Sequence, residues 1–366
     1  MGLRSVGVEE ELLLVDPDGG QALAVASAVL HDATVNGEEL AGDVLTSELA
    51  RQQIETNTRP CTSLDELGAE LRRWRQAAAQ AAESTGAQVA ALATSPLPVV
   101  PRITPSPRYQ HMLDRFGVIA EQQLTCACHI HVGVDSDDEA VAVLDRIRGW
   151  LPVLLALSGN SPFWQGDDTD YASFRSQVWN RWPSAGPTGL FGSAEHYHAT
   201  VRNMIESDTV IDEGMIYFDA RLSHNFPTVE VRVADVCLHS DDAVLLAGLT
   251  RALVETAVRA WKEDKPPTPL RVELLRLAGW RAARSGLDGS LIDPAGRPAP
   301  ARRVVRALLE HVTPALQDFG EYDIVQDLTD GVFGRGNGSE LQREVRRRGG
   351  SLADVVACAV TRSAGR

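Results

Sequence analysis

Glu9, Glu10 and Glu11 stand in a row between Val8 and the apolar residues Leu12, Leu13, Leu14 and Val15. Along a β-strand, residues two apart share a face at a separation of about 7 Å. Glu9 and Glu11 therefore project together, and Glu10 points the other way among Val8, Leu12 and Leu14. Two ionised carboxylates side by side repel, and burying them is costly unless positive charge neutralises them. A hard divalent cation with oxygen ligands supplies such charge. A solvated strand edge is the other reading of this segment taken alone.

Two more segments repeat the pattern. In Cys126-Ala127-Cys128-His129-Ile130-His131 the cysteines share one strand face and the histidines share the other. Four ligands split between two faces cannot close one tetrahedral zinc site, so the cysteines read as small core residues. His129 and His131 remain either a site pair or structural histidines. In Val229-Glu230-Val231-Arg232-Val233, Glu230 and Arg232 share a face opposite the three valines. They read as a structural ion pair, or as a metal-binding carboxylate beside a guanidinium that binds phosphate or carboxylate. One sheet with an apolar face against helices and a polar face used for chemistry would explain all three segments together.

The elements that must position these residues follow from pattern and punctuation. Strands are predicted at residues 5–15, 88–93, 125–134, 215–219 and 228–234, and the Asp16-Pro17-Asp18-Gly19-Gly20 turn suggests a hairpin after the first. Residues 47–58 form a second carboxylate-bearing segment with Glu48 and Glu55. Ser63 and Glu66 form a capping box that opens a helix to about residue 83. Further helices are expected at 107–123, 137–157, 241–263, 271–285, 300–318 and 351–362. Residues 158–192 look irregular, and Phe163, Trp164, Trp179 and Trp182 argue for an ordered lid or binding loop there. Strands of antiparallel appearance with peripheral helices indicate an α+β fold. The whole chain, 1–366, is expected to be one catalytic domain, with a mixed core to about 240 and a mostly helical remainder.

Composition narrows the chemistry. A net charge of −15 and a pI near 5.1 argue against broad nucleic-acid or anionic-membrane binding. No signal peptide or membrane span is visible, and the five cysteines lack a framework spacing, so a cytoplasmic protein with reduced thiols is expected. The two lysines, Lys262 and Lys265, sit in one polar stretch. Cationic work elsewhere falls to arginine or metal. Neither lysine sits in a phosphate loop, on a kinase-like strand or in a convincing Schiff-base setting, which argues against those three chemistries.

Taken together, Gly7-Val8-Glu9-Glu10-Glu11, the Glu48/Glu55 spacing, His129-x-His131 and Thr228-Val229-Glu230-Val231-Arg232 resemble the carboxylate–amine ligases of the glutamate–cysteine ligase type 2 group. Asn160-Ser161-Pro162-Phe163-Trp164, Tyr171-Ala172-Ser173-Phe174-Arg175-Ser176 and Leu277-Ala278-Gly279-Trp280 extend the likeness over nearly the whole chain. The resemblance implies a glutamine synthetase-like fold, with a curved antiparallel sheet and helices on its outer face. It also implies ATP and Mg²⁺ or Mn²⁺ as cofactors, and a homodimer. The metal ligands it implies are Glu9, Glu11, Glu48, Glu55, His129 and Glu230. Arg232 is expected near the transferred phosphate and Arg175 near a substrate carboxylate or phosphate. The activity implied is amide formation between glutamate, or a similar acid, and cysteine or another amine, through an acyl phosphate. A metal-dependent hydrolase using His129 and His131, and a non-catalytic ATP- and metal-binding protein, are the alternatives.

Overall fold

Period-2 alternation of apolar and polar residues decides which side of the sheet faces the helices. The computed structural model describes residues 3–36 and 45–363. Its main sheet comprises β1 (Val6–Val15), β2 (Leu45–Ser47), β3 (Gln53–Asn57), β4 (Gln88–Ala90), β5 (Ala127–Gly133), β6 (Ala220–Leu222) and β7 (Thr228–Asp235). The order is β2-β3-β1-β5-β7-β6, with β4 paired to the far end of β1, and every pairing is antiparallel. The sheet is open and helices pack against it, giving an α+β architecture.

One face is apolar. Val6, Val8, Cys128, Ile130, Val132, Val229 and Val231 are buried with Leu64, Leu67 and Leu71 of the Leu64–Ser84 helix and Leu245, Leu249 and Leu253 of the Ser240–Lys262 helix. Each fully buried aliphatic side chain contributes roughly 1.5–3 kcal/mol. Glu10 is the exception on this face. It accepts from Arg75 Nε at 2.8 Å and Nη2 at 2.6 Å, and Arg75 also donates to the carbonyls of Cys237 and Leu238. Charges so deeply buried persist because each is paired and hydrogen-bonded. The pair locks the Leu64–Ser84 helix to β1 and to the chain just beyond β7. The helix starts as expected: Ser63 Oγ accepts from Glu66 N, and Glu66 Oε2 accepts from Thr62 N.

Several elements differ from the sequence reading, each for a local reason. The expected helix at 107–123 divides at Gly117, which has φ +51°, into Pro107–Phe116 and Val118–Glu121. The helix at 137–157 divides into Asp137–Ile147 and Leu151–Ser158. Pro152 has no N–H and would clash with the carbonyl of Arg148 in a continuous helix, so it opens a new one. After the Asp16–Gly20 turn no hairpin strand forms: Val15 bridges Ala22 alone, and the chain enters the Ala26–Asn36 helix. The strand expected at 215–219 is displaced. Glu213–Met215 is a 3-10 turn, and the ladder begins at Ala220. Residues 158–192 contain the Phe163–Trp164/Asp167–Asp168 hairpin and the Phe174–Trp179 helix, capped by Ser173 Oγ. The Ala194–Glu206, Tyr322–Arg335 and Gly338–Arg347 helices carry no predicted boundary. Among the described residues, no helix is long and apolar enough to cross a membrane.

Candidate active site

Strand register assembles the polar face residue by residue. Glu9 lies opposite His129 on β5 and Asn57 on β3, Glu11 opposite Glu55, His131 opposite Glu230, and Glu230 opposite Arg221. Glu48 follows β2 directly. All of these side chains except Asn57 line one cleft of about 800 Å³, together with Arg108, Tyr109, Tyr217, Arg232 and Trp179. All six sequence-predicted metal ligands reach this cleft. With His131 as a seventh residue, their donor atoms form three groupings, each within 4.8 Å: Glu9, Glu55 and His129; Glu9, His131 and Glu230; Glu11, Glu48 and Glu55.

The electrostatics show what the cluster lacks. Burial and the neighbouring Glu11 push the Glu48 carboxyl up to about 7, and burial with Glu48 and Glu9 pushes Glu55 well above its usual range. Burial would raise Glu230 as well, but Arg232 and Arg221 hold it far below the ordinary carboxylate value. Burial and Arg232 lower His129 and favour the neutral imidazole, the form that ligates metal. His131 adds the sharpest sign. Its Nδ1 bonds Thr228 Oγ1 at 2.9 Å, whereas its buried Nε2 has no hydrogen-bond partner and sits 3.2 Å from Glu9 Oε1. A metal-ligating histidine is normally held in this way through its other nitrogen. Carboxylates and imidazole in this arrangement fit a hard divalent cation. Of the two histidines, the resemblance implies only His129 as a ligand; the structure brings the His131 ring to Glu9 and Glu230 as well, as strand alternation allows.

Arg232 lines the cleft and is ion-paired to Glu230. Arg221 donates to the same carboxylate at 2.7 Å and escapes the sequence reading because its strand is expected elsewhere. Arg175 does not line this cleft. It is buried behind β7, with Nη1 and Nη2 each 3.3 Å from the carbonyls of Val233 and Arg232, and Nη1 3.9 Å from Asp235. Asp235 also accepts from Asn160 N, Ser161 Oγ and Ser173 Oγ. That network fastens the aromatic segment to the sheet. Trp179 and Trp182 line the cleft, but Phe163 and Trp164 do not.

A second cavity of about 1230 Å³ adjoins the first and shares Glu9, Glu55, His131, Asn225 and Phe226 with it. Its walls include Pro227, Val258 and Phe319, with Arg59, Arg259 and Lys262. Phe226 is 57 % exposed between the two cavities, its ring edge-on to His131. The cysteines are free thiols; Cys126 and Cys128 are buried away from the site, as expected.

A profile of glutamate–cysteine ligase family 2 matches residues 5–358. The chain belongs to that family. A Streptomyces avermitilis protein, provisionally named glutamate–cysteine ligase 2-1, is 54% identical over 365 residues, covering 99% of this chain and all of its own. A Streptomyces coelicolor relative, also provisionally named glutamate–cysteine ligase 2, is 53% identical over 362 residues, covering 99% of each. The structure resembles a Francisella tularensis glutamate–cysteine ligase solved with AMP, at TM-score 0.69 and 15% identity, covering 99% of this chain and 89% of that one. It also resembles a bifunctional glutathione synthetase from Pasteurella multocida, at TM-score 0.71 and 15% identity, covering 99% and 52%. These likenesses establish the glutamine synthetase-like fold. Membership of family 2 makes the chain an ATP-dependent carboxylate–amine ligase acting on small molecules.

Proposed function

We propose that this chain joins the γ-carboxylate of glutamate to an amine, with cysteine the acceptor its family name supplies, and forms ADP and phosphate through a γ-glutamyl phosphate. The observation that carries the reading is one row of carboxylates and imidazoles, flanked by Arg232 and lying between two cavities. The larger cavity, apolar-walled with cationic side chains at its edge, suits the nucleotide. The smaller, rich in arginine and aromatic residues, suits the acid.

In the first step a γ-carboxylate oxygen attacks the terminal phosphorus of ATP and ADP leaves. In the second, the amine nitrogen attacks the acyl carbon, the C–N bond forms, phosphate leaves, and the amine gives up a proton. Both partners in the first step are anionic, so positive charge must bring them together. Mg²⁺ or Mn²⁺, held by Glu9, Glu11, Glu48, Glu55, His129, His131 and Glu230, would supply most of that charge. Arg232 would steady the oxygens of the phosphoryl group, and Arg221 and Glu230 hold it in place. Trp179 and Phe226 would keep water from the acyl phosphate. We further propose that the entire chain acts as one catalytic unit, because residues from position 9 to position 232 share the cleft and the Ser240–Lys262 helix walls the nucleotide cavity.

The test is ADP release in the presence of metal, ATP, glutamate and a panel of amines, with the product identified by mass. Glutamate- and amine-dependent ADP release supports the reading. Turnover without ATP would instead favour metal-dependent hydrolysis. Unchanged turnover in Glu11→Ala and Glu230→Ala would defeat the metal assignment.

A further inference from the structure

Trp179 stands between the arginine that faces the carboxylate cleft and the one buried behind β7. The Arg232 guanidinium lies 5.8 Å from the centre of its ring, and the Arg175 guanidinium lies at 5.8 Å as well. The Tyr217 ring packs against it at 4.6 Å. We propose that Trp179 is a positioning residue for Arg232: its indole is a shelf that keeps the guanidinium aimed into the cleft, and the Asp235 carboxylate anchors that shelf. The inference rests on the role given to Arg232 in phosphoryl transfer.

Arg232 needs a second hold on its side chain. Its backbone is fixed, with its N–H donating to Asp219 O at 2.9 Å and its carbonyl accepting from Arg175 Nη2 at 3.3 Å. The long side chain is less constrained. Nη1 donates to Glu230, whereas the buried Nε has no hydrogen-bond partner. Glu230 is itself shared, because Arg221 Nε donates to it at 2.7 Å. Its carboxylate is also one of the proposed metal ligands, so its grip on Arg232 is divided further when a cation binds. An indole face restrains a guanidinium without competing for its N–H groups, and indole gives the strongest cation–π attraction of the aromatic side chains.

The shelf has its own anchor. A third cavity, of about 320 Å³, has Trp179 and Arg232 in its wall, so the cleft and this cavity lie on either side of the pair. Trp179 therefore takes its position from Tyr217 and from the Phe174–Trp179 helix that carries it. Ser173 Oγ caps that helix by accepting from Ser176 N, and it donates to Asp235 Oδ1 at 2.7 Å. Ser161 Oγ accepts from Arg175 N at 2.9 Å and donates to Asp235 Oδ2 at 2.7 Å. A fully buried carboxylate thus ties the start of the helix to the end of β7, three residues from Arg232 on the same strand. A satisfied buried network of this kind is rigid, so shelf and guanidinium keep a common frame.

A double-mutant cycle on ADP release, with metal, ATP, glutamate and the best amine, tests the inference. Trp179→Leu is expected to lower kcat about tenfold or more, with the KM for ATP far less affected. Trp179→Phe keeps an aromatic face and should recover most of that loss. In an Arg232→Lys background, Trp179→Leu should have almost no further effect, because lysine has no planar fork to rest on the ring. Asp235→Asn should show the same dependence on Arg232 at smaller amplitude. A merely structural Trp179 would lower turnover equally in both backgrounds, and that result overturns the inference. Full turnover in Arg232→Lys overturns it together with the role given to Arg232. A low kcat in Arg232→Lys beside an unchanged kcat in Trp179→Leu overturns this inference alone. The Arg232 Nε–H proton resonance, identified by its disappearance in Arg232→Lys, gives a reading free of turnover. It should shift in Trp179→Leu as the ring current is removed, and an unmoved resonance overturns the proposal even if no amine is ligated.

Discussion

At the scale of single residues, the cleft depends on how each donor is held. Thr228 lies in the wall of the large cavity, and its hydroxyl fixes the His131 ring through Nδ1. Thr228→Val should therefore weaken apparent metal affinity by about 10–100-fold, read as the Mg²⁺ or Mn²⁺ concentration giving half-maximal turnover. Unaltered metal dependence would remove His131 from the ligand set. Arg232→Lys keeps the charge but loses the planar fork; kcat is expected to fall about 100-fold or more, with the KM for ATP far less affected. The faces taken by Glu9, Glu11 and Glu10 were legible because a pleated strand sends alternate residues to opposite sides. Arg175 was not, because the direction of a guanidinium depends on which carbonyls packing brings to it.

At the scale of elements, two contacts hold the site's frame. Arg75→Met would strand the Glu10 carboxylate inside the core, and breaking such a pair costs about 3–5 kcal/mol, measurable by urea unfolding. Gly286 ends the Val272–Ser285 helix at φ +54°, and a Cβ there would lie 2.7 Å from Ala172 Cβ. Gly286→Val should cost about 2–4 kcal/mol from strain and overpacking and displace the Ala172–Ala283 backbone contact. The long strands were readable in advance because their apolar face follows a strict period. The 215–219 region was not, although Ile216, Tyr217 and Phe218 favour strands. There Tyr217 packs against Trp179 and Trp182, and Ser184 Oγ bonds the carbonyl of Met215. An aromatic cluster between distant segments overrides local preference, and with it went the position of Arg221.

At the scale of the whole molecule, the carboxylate cluster ties stability to pH and to metal. Unfolded, Glu48 and Glu55 ionise near 4.5; folded, Glu48 holds its proton to about 7 and Glu55 is also raised. Without metal, the folded chain then binds more protons than the unfolded chain in this interval, so stability falls as pH rises from about 4.5 to about 7. Thermal unfolding with chelator should show that decline. Added Mg²⁺ or Mn²⁺ should raise the midpoint more at pH 8 than at pH 5, because the cation replaces the protons. An equal rise at both would disconnect these carboxylates from the ion.

The scarcity of lysine has a practical consequence. Lys262 lines the large cavity, and no lysine lines the carboxylate cleft. Amine-acylating reagents therefore meet an almost blank side-chain background, with Lys265 as the exposed internal standard. Labelling at Lys262 becomes an occupancy gauge for one cavity, and a peptide map before and after ATP would read it directly.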